Sequence, residues 1–219
     1  MMYMTTKEEH SQKRRQEFVD TAIALFTSKG VAHTSLRDVI KAMNGGRGVG
    51  MSVFYYYFDS KSELISACLD RYFDRYADDL VCGMEDPDSS VEQVVSNLVG
   101  LVIDAVNDVD TMFDNRRLGD NFLDTNPDIR ERFTTRITSS MAAALERLTR
   151  EGRLPETALS RTGGPQVTAM LVCSGTISIF TEGRSVLKDG KLATEAALAY
   201  LSGLLGIDLT HVEVEAELA

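Results

Sequence analysis

Metal-ligating and disulfide-forming residues are scarce in this chain. Its 219 residues hold three histidines and three cysteines. His10, His33 and His211 form no cluster along the sequence, and Cys68, Cys82 and Cys173 are widely spaced and odd in number. This excludes a disulfide framework and the ligand spacing of a zinc site. The thiols read as reduced, small core residues. Long apolar runs are missing as well. The longest, Val167 to Phe180, is interrupted by Thr168, Ser174, Gly175, Thr176 and Ser178. It falls short of the roughly 20 apolar residues that a membrane span needs, and so predicts a buried helix. There is no low-complexity tract, and no internal repeat at a period of roughly 20–50 residues. The N-terminus is polar and charged from Lys7, which predicts no signal peptide and a cytoplasmic protein with no membrane partner. No Ser/His/Asp or Cys/His arrangement, phosphate loop or group of clustered titratable residues appears. The expectation is therefore a protein that is not an enzyme and carries no cofactor.

What is present begins with charge. The net charge is −10, which by itself argues against nucleic acid. Its distribution argues otherwise. Residues 1–61 hold nine Lys/Arg and six Asp/Glu, a net +3, and the remainder carries −13. Such asymmetry fits a small basic head that meets a polyanion and an acidic body that does not.

Nearly every segment reads as helix. Residues 1–12 are expected to be a mobile tail. From Arg14 onward, Phe18, Ala22, Leu25 and Phe26 recur at helical spacing, and Gly30 is a stop signal. Ser35 with Asp38 three residues on forms a capping box for a second helix, whose apolar face is Leu36, Val39, Ile40 and Met43. Asn44-Gly45-Gly46-Arg47-Gly48 breaks it. A third helix is expected from about Gly50 to Tyr57, and a fourth after Ser60, with Glu63 at its N3 position. Further helices are expected over Val91 to about Val109, Thr111 to Leu123, from Asn126-Pro127 to Gly152, Pro165 to Leu187, and Thr194 to Leu205. Residues 153–163 read as a connection, and those after Asp208 as a frayed acidic tail. The fold class is all-α, with an N-terminal three-helix helix-turn-helix domain joined by a linking helix to a larger helical domain. The boundary is placed at 1–60 and 61–219.

The second helix, the glycine-bearing turn and the third helix together form a helix-turn-helix. In that unit the second helix lies in the major groove and its N-terminal residues face base edges. Here those are Gly50, Met51, Ser52 and Val53. Phe54 and Phe58, four apart, share one face and are expected to anchor the helix. Tyr55 and Tyr56 point elsewhere and offer hydroxyls to phosphate oxygens. Lys61 and the amides at the start of the fourth helix make an anion site. Such contacts set register without reading sequence.

Residues 14–64 resemble the N-terminal domain of TetR-family transcriptional regulators. The matching pieces are Ala22…Leu25-Phe26…Gly30, Thr34-Ser35-Leu36-Arg37-Asp38-Val39, Gly48-Val49, and Phe54-Tyr55-Tyr56-Tyr57-Phe58-Asp59-Ser60-Lys61-Ser62-Glu63-Leu64. The resemblance implies a homodimer, usually a repressor, that leaves a palindromic operator on double-stranded DNA when a small-molecule effector enters the C-terminal domain. It also implies phosphate contacts from Thr34, Tyr55, Tyr56 and Lys61. The chain departs from the family pattern in two ways. The turn between the second and third helices carries about four extra residues, Asn44 to Arg47, which either extend the second helix or form a loop touching the DNA backbone. The groove-facing positions also lack a charged reader of guanine. Arg47 is then either a replacement contact, to a base edge or a phosphate, or a solvated surface arginine. The apolar reading face also allows a protein of this fold with weakened DNA binding that acts through protein contacts.

In the body, Met112, Phe113, Phe122, Phe133, Ile137, Met141, Met170, Cys173 and Ile177 either line an adaptable, largely apolar effector pocket or make an ordinary core. The last two long helices carry small residues at three- and four-residue spacing: Ala169, Cys173, Ser174, Gly175 and Ser178. With Leu201, Leu204 and Leu205 they either form the homodimer's four-helix bundle or pack within one chain.

Overall fold

The computed structural model describes residues 6–113, 127–187 and 189–216. Eight α-helices and no strand are present among them: α1 Thr6–Lys29, α2 Leu36–Gly46, α3 Met51–Tyr57, α4 Lys61–Glu85, α5 Val91–Phe113, α6 Pro127–Arg150, α7 Ala158–Phe180 and α8 Gly190–Leu205, with a short 3₁₀ turn at Glu182–Ser185. The all-α class and the helix-turn-helix order are as expected. Phe122 and the side chains of Phe113 and Phe133 lie outside the described residues.

The chain divides into two compact units. One takes the residues up to Tyr72 and those from Val109 to the end of α5; the other takes Phe73–Asp108 and the elements from α6 onward. The helices α4 and α5 thus run through both.

The first unit closes around Phe18, Val19, Ala22 and Phe26 of α1, Val39, Ile40 and Met43 of α2, Phe54 of α3, Phe58, and Leu64 and Cys68 of α4. Met112 of α5 completes this core, and its carbonyl accepts the Val31 N–H at 2.7 Å. Met112, expected along an effector pocket, thus packs in the head core. It lies at a helical spacing that also fits the body's apolar face, and only tertiary contact assigns it to the head. α1 begins well before Arg14, at Thr6, so the expected tail to residue 12 is mostly helix.

In the second unit α6, α7 and α8 pack consecutively, and salt bridges from Arg136 to Asp74 and Asp78 tie α6 to α4. Arg147 and Arg153 donate to the carbonyls of Pro87 and Ser89, holding the α4–α5 turn. α7 starts at Ala158 rather than Pro165. Thr157 and Ser160 cap each other's ends of the first turn, and Gly164, at φ 69°, absorbs the kink that Pro165 imposes. The segment after Asp208 is packed rather than frayed. Leu209 is fully buried, its N–H donates to the Ser202 hydroxyl at 3.0 Å, and Ser96 Oγ donates to the Glu213 carbonyl at 2.8 Å. Cys68 and Cys173 are buried core thiols, with burial pushing both up to about 12. Cys82 is exposed, contrary to the expectation of a core residue.

No helix among the described residues is long and apolar enough to cross a membrane.

Candidate nucleic-acid interface

The interface is built from the α2 start forward. Ser35 caps α2: its hydroxyl accepts the Asp38 N–H while the Asp38 carboxylate accepts the Ser35 N–H at 2.8 Å. The Ser35 hydrogen bonds, side-chain then backbone, hold the Asp38 carboxyl below its ordinary range, and Lys29 and Lys41 add to this. Thr34, expected to contact phosphate, is 1% exposed, and its hydroxyl donates to the Gly30 carbonyl at 2.8 Å. Its donor is engaged inside the head, where it locks the α1–α2 turn. A short polar side chain beside a cap is ambiguous in sequence, because the same hydroxyl suits a turn or a phosphate.

α3 starts at Gly50, which supplies no side-chain cap. Its core-facing side is aromatic. Phe54 and Phe58 are buried and stack at 5.5 Å, and Phe18 meets each edge-on at 5.7 and 6.0 Å. Arg15 lies over the Phe58 ring at 4.8 Å. The outward side carries Gly50, Met51 and Ser52, all exposed, while Val53 is half-buried against the core. Tyr55 and Tyr56 are 56% and 70% exposed, large fractions for aromatic rings on a helix this well anchored. Tyr57 turns inward, 6.0 Å from Phe18. One tyrosine of the three is therefore core-facing, and the other two are exposed, with Tyr55 edge-on to Phe54 and Tyr56 edge-on to Tyr57.

At the start of α4, Ser60 accepts the Glu63 N–H at 3.1 Å, and Glu63 reaches back to the Asp59 N–H at 2.6 Å. Lys61 donates from Nζ to the Val31 carbonyl at 2.7 Å, and its partial burial lowers its pKa. One of its three ammonium protons is thus engaged within the head. Arg47 is exposed, in the turn between α2 and α3.

The described residues expected to line an effector pocket differ in exposure. Ile137, Met141, Cys173 and Ile177 are buried in the second unit's core, and Met170 is 48% exposed. That unit does hold a cleft of about 710 Å³, lined by Arg75, Tyr76 and Asp79 of α4, Asn97 and Asp104 of α5, and Glu213 and Glu215. None of the expected residues lines it. Burial pushes Tyr76 up to about 12, assisted by Asp104, and its hydroxyl donates to Asp108, itself raised by burial. The sequence signal for this cleft was hidden in a tail that reads as solvated acid.

Comparison with known proteins bears most directly on the head. Residues 18–68 match the family model described as bacterial regulatory proteins, tetR family. The transcriptional regulator AcrR of Shigella flexneri is 40% identical over 65 residues, which are 30% of this chain and 28% of that protein. The regulator TtgR of Pseudomonas putida is 36% identical over 69 residues, 32% of this chain and 30% of that protein. The chain thus matches under a third of the length of these curated relatives. Over the whole chain, a TetR-family transcriptional regulator of Pectobacterium atrosepticum has the same fold at a TM-score of 0.60, with 18% identity, 92% of this chain covered and 94% of that one. SmeT, the repressor of a Stenotrophomonas maltophilia multidrug efflux pump, superposes at a TM-score of 0.55, with 19% identity and 88% of each chain covered.

Proposed function

We propose that this chain, whose head belongs to the tetR family of bacterial regulatory proteins, is a dimeric transcriptional regulator that represses from a palindromic operator and leaves it when a small molecule binds the helical body. The observation that carries the reading is the two-sided α3. Phe54 and Phe58 fix it in the core, while Gly50, Met51, Ser52, Tyr55 and Tyr56 are left open on its other side. A rigid short helix with an unpartnered N-terminal turn is what major-groove entry requires. The Tyr55 and Tyr56 hydroxyls and the remaining ammonium protons of Lys61 then bind phosphate oxygens. Thr34 contributes by holding the turn, through its bond to Gly30.

Two copies related by a two-fold axis present two such helices to an inverted repeat. For an effector to release DNA, it must bind the conformation that does not hold the operator better than the one that does. Because α4 and α5 each belong to both units, they are the covalent routes by which the body acts on the head, and α4 leads directly from α3. The exposed Met51 face also supports a second reading, a protein of this fold that acts through protein contacts with little DNA binding.

One experiment separates the two. Wild-type protein is used to enrich duplexes from a random 30-base-pair library, and the winner's affinity is measured across salt. The regulator reading expects an inverted repeat whose binding weakens steeply as salt rises, by roughly 0.9 in log K per log salt for each phosphate contacted. Absence of any enriched sequence defeats it and leaves the protein-contact reading.

A further inference from the structure

The connection between α2 and α3 is built rather than slack. At Met43 the backbone leaves the helix, with ψ 158°, and Asn44, Gly45 and Gly46 follow at φ 55°, 64° and 88°. Three successive left-handed residues are rare for L-amino acids, and Asn44 is the only non-glycine among the described residues with positive φ. The loop is closed at its base, where the Gly48 N–H donates to the Met43 carbonyl at 2.8 Å and the Val49 N–H to the Ile40 carbonyl at 3.1 Å. It is then fastened through Asn44 on both sides. Its amide nitrogen donates to the Gly48 carbonyl at 3.1 Å, Arg14 Nη1 donates to its side-chain oxygen at 2.7 Å, and its backbone N–H donates to the Glu17 carboxylate at 3.1 Å. Arg14 and Glu17 are themselves paired at 2.7 Å.

These bonds join the loop to itself, to α2 and to α1. A Cβ at Gly45 or Gly46 would meet nothing within 4 Å, so these glycines answer to backbone conformation and not to crowding. Arg47 follows in ordinary helical φ/ψ, exposed, three residues before the α3 N-cap at Gly50. The N-terminal end of a groove-facing helix is the end nearest the bases. The first turn of α3, Met51-Ser52-Val53, brings no charge there.

We propose that this fastened loop is a second reading element, in which Arg47 contacts a guanine edge in the major groove while Arg14, Glu17 and Asn44 act as positioning residues that hold it. The proposal rests on the DNA-binding reading above. A planar guanidinium presents two donors at the spacing of guanine O6 and N7, which the exposed methionine and serine of α3 cannot do. A loop held at one base and one side chain is rigid enough for such a bidentate contact to discriminate.

The test uses full-length protein and the duplex enriched by wild type. Arg47→Ala is expected to weaken binding to that duplex about 10- to 100-fold, and to a scrambled duplex by less than about 3-fold. Renewed enrichment with Arg47→Ala is expected to yield a motif degenerate at one position in each half-site. Arg47→Lys is expected to keep the salt dependence without restoring that position. Asn44→Gly, which keeps the left-handed backbone but removes the fastening side chain, is expected to blur the same position at an unchanged melting temperature. An Arg47→Ala motif identical to the wild-type one overturns the proposal. So does an equal loss on enriched and scrambled duplexes, which marks a phosphate contact. An unchanged motif with Asn44→Gly overturns the positioning role. A wild-type protein that enriches nothing overturns the parent reading instead, so the two failures are distinguishable.

Discussion

At the scale of the residue, the Phe54–Phe58 run divides sharply by exposure. Phe54 is wholly buried and in aromatic contact with Phe18 and Phe58, whereas Tyr56 is 70% exposed. Truncating a buried aromatic removes its transfer free energy and leaves a cavity, about 3–5 kcal/mol for Phe→Ala. Phe54→Ala is therefore expected to lower the head's unfolding free energy, read from denaturant melts, by that amount and to abolish DNA binding through loss of α3. Tyr56→Phe touches no core contact. It is expected to leave the midpoint unchanged and to weaken binding to enriched and scrambled duplexes alike, because a phosphate contact carries no sequence information. Equal destabilisation by the two variants would show that the exposure contrast has no energetic content. The four-residue spacing made the Phe54 and Phe58 anchors legible in the sequence. Thr34 was not legible. Its hydroxyl has a donor to give in either setting, and only the fold brings the Gly30 carbonyl to 2.8 Å.

At the scale of the element, the starts of α2 and α4 were legible and those of α1 and α7 were not. Ser35 with Asp38 and Ser60 with Glu63 are local chemistry, written within four residues, and both caps form. The Ala158 start of α7 rests on the local Thr157–Ser160 box, whereas the packed segment after Asp208 depends on a partner far along the chain, Ser96, which donates to the Glu213 carbonyl. Leu209 in that segment is buried and bonded to Ser202. Pro165 read naturally as a first-turn proline, yet Gly164 at φ 69° lets one helix pass through it with a kink. The cleft among α4, α5 and the C-terminal segment shares this origin, since its acidic walls meet only after the tail folds back. The α2 cap also has a pH signature. The folded Asp38 pKa is lowered chiefly by its Ser35 bonds. A depressed carboxylate contributes stability that is fully present above its unfolded value, 3.8, and is lost as pH falls through the lowered folded one. Ser35→Ala is expected to destabilise the head by about 1 kcal/mol at pH 7. The difference from wild type should shrink as thermal melts are taken toward pH 2. A difference constant with pH would mean that Asp38 does not draw on the cap.

At the scale of the whole molecule, the charge division and the surface of the last two helices bear on the proposed dimer, in which two heads would reach one operator. A net +3 on residues 1–61 against −13 elsewhere turns only the head toward a polyanion. A single α3 of seven residues offers few contacts, so the proposed regulator draws its affinity from two heads acting together. The small-residue stripe expected at the dimer surface is partly occupied within the chain. A Cβ on Gly175 would lie 2.2 Å from the Tyr200 hydroxyl, which donates to the Leu171 carbonyl at 2.7 Å. Leu201 and Leu205 are also buried in the protomer. What α7 and α8 leave open is Val167, Met170 and Leu192, at 37%, 48% and 48% exposure. These three become the residues on which proposed dimerisation through the last two helices depends. Met170→Glu places a charge on that surface without entering the core. Sedimentation at micromolar concentration is expected to find wild type as a dimer and Met170→Glu as a monomer of unchanged helix content. Loss of the second head should then lower affinity for the enriched inverted repeat by about 10²- to 10⁴-fold while leaving affinity for a single half-site duplex as it was. A Met170→Glu protein that still sediments as a dimer would move the interface off this face of α7.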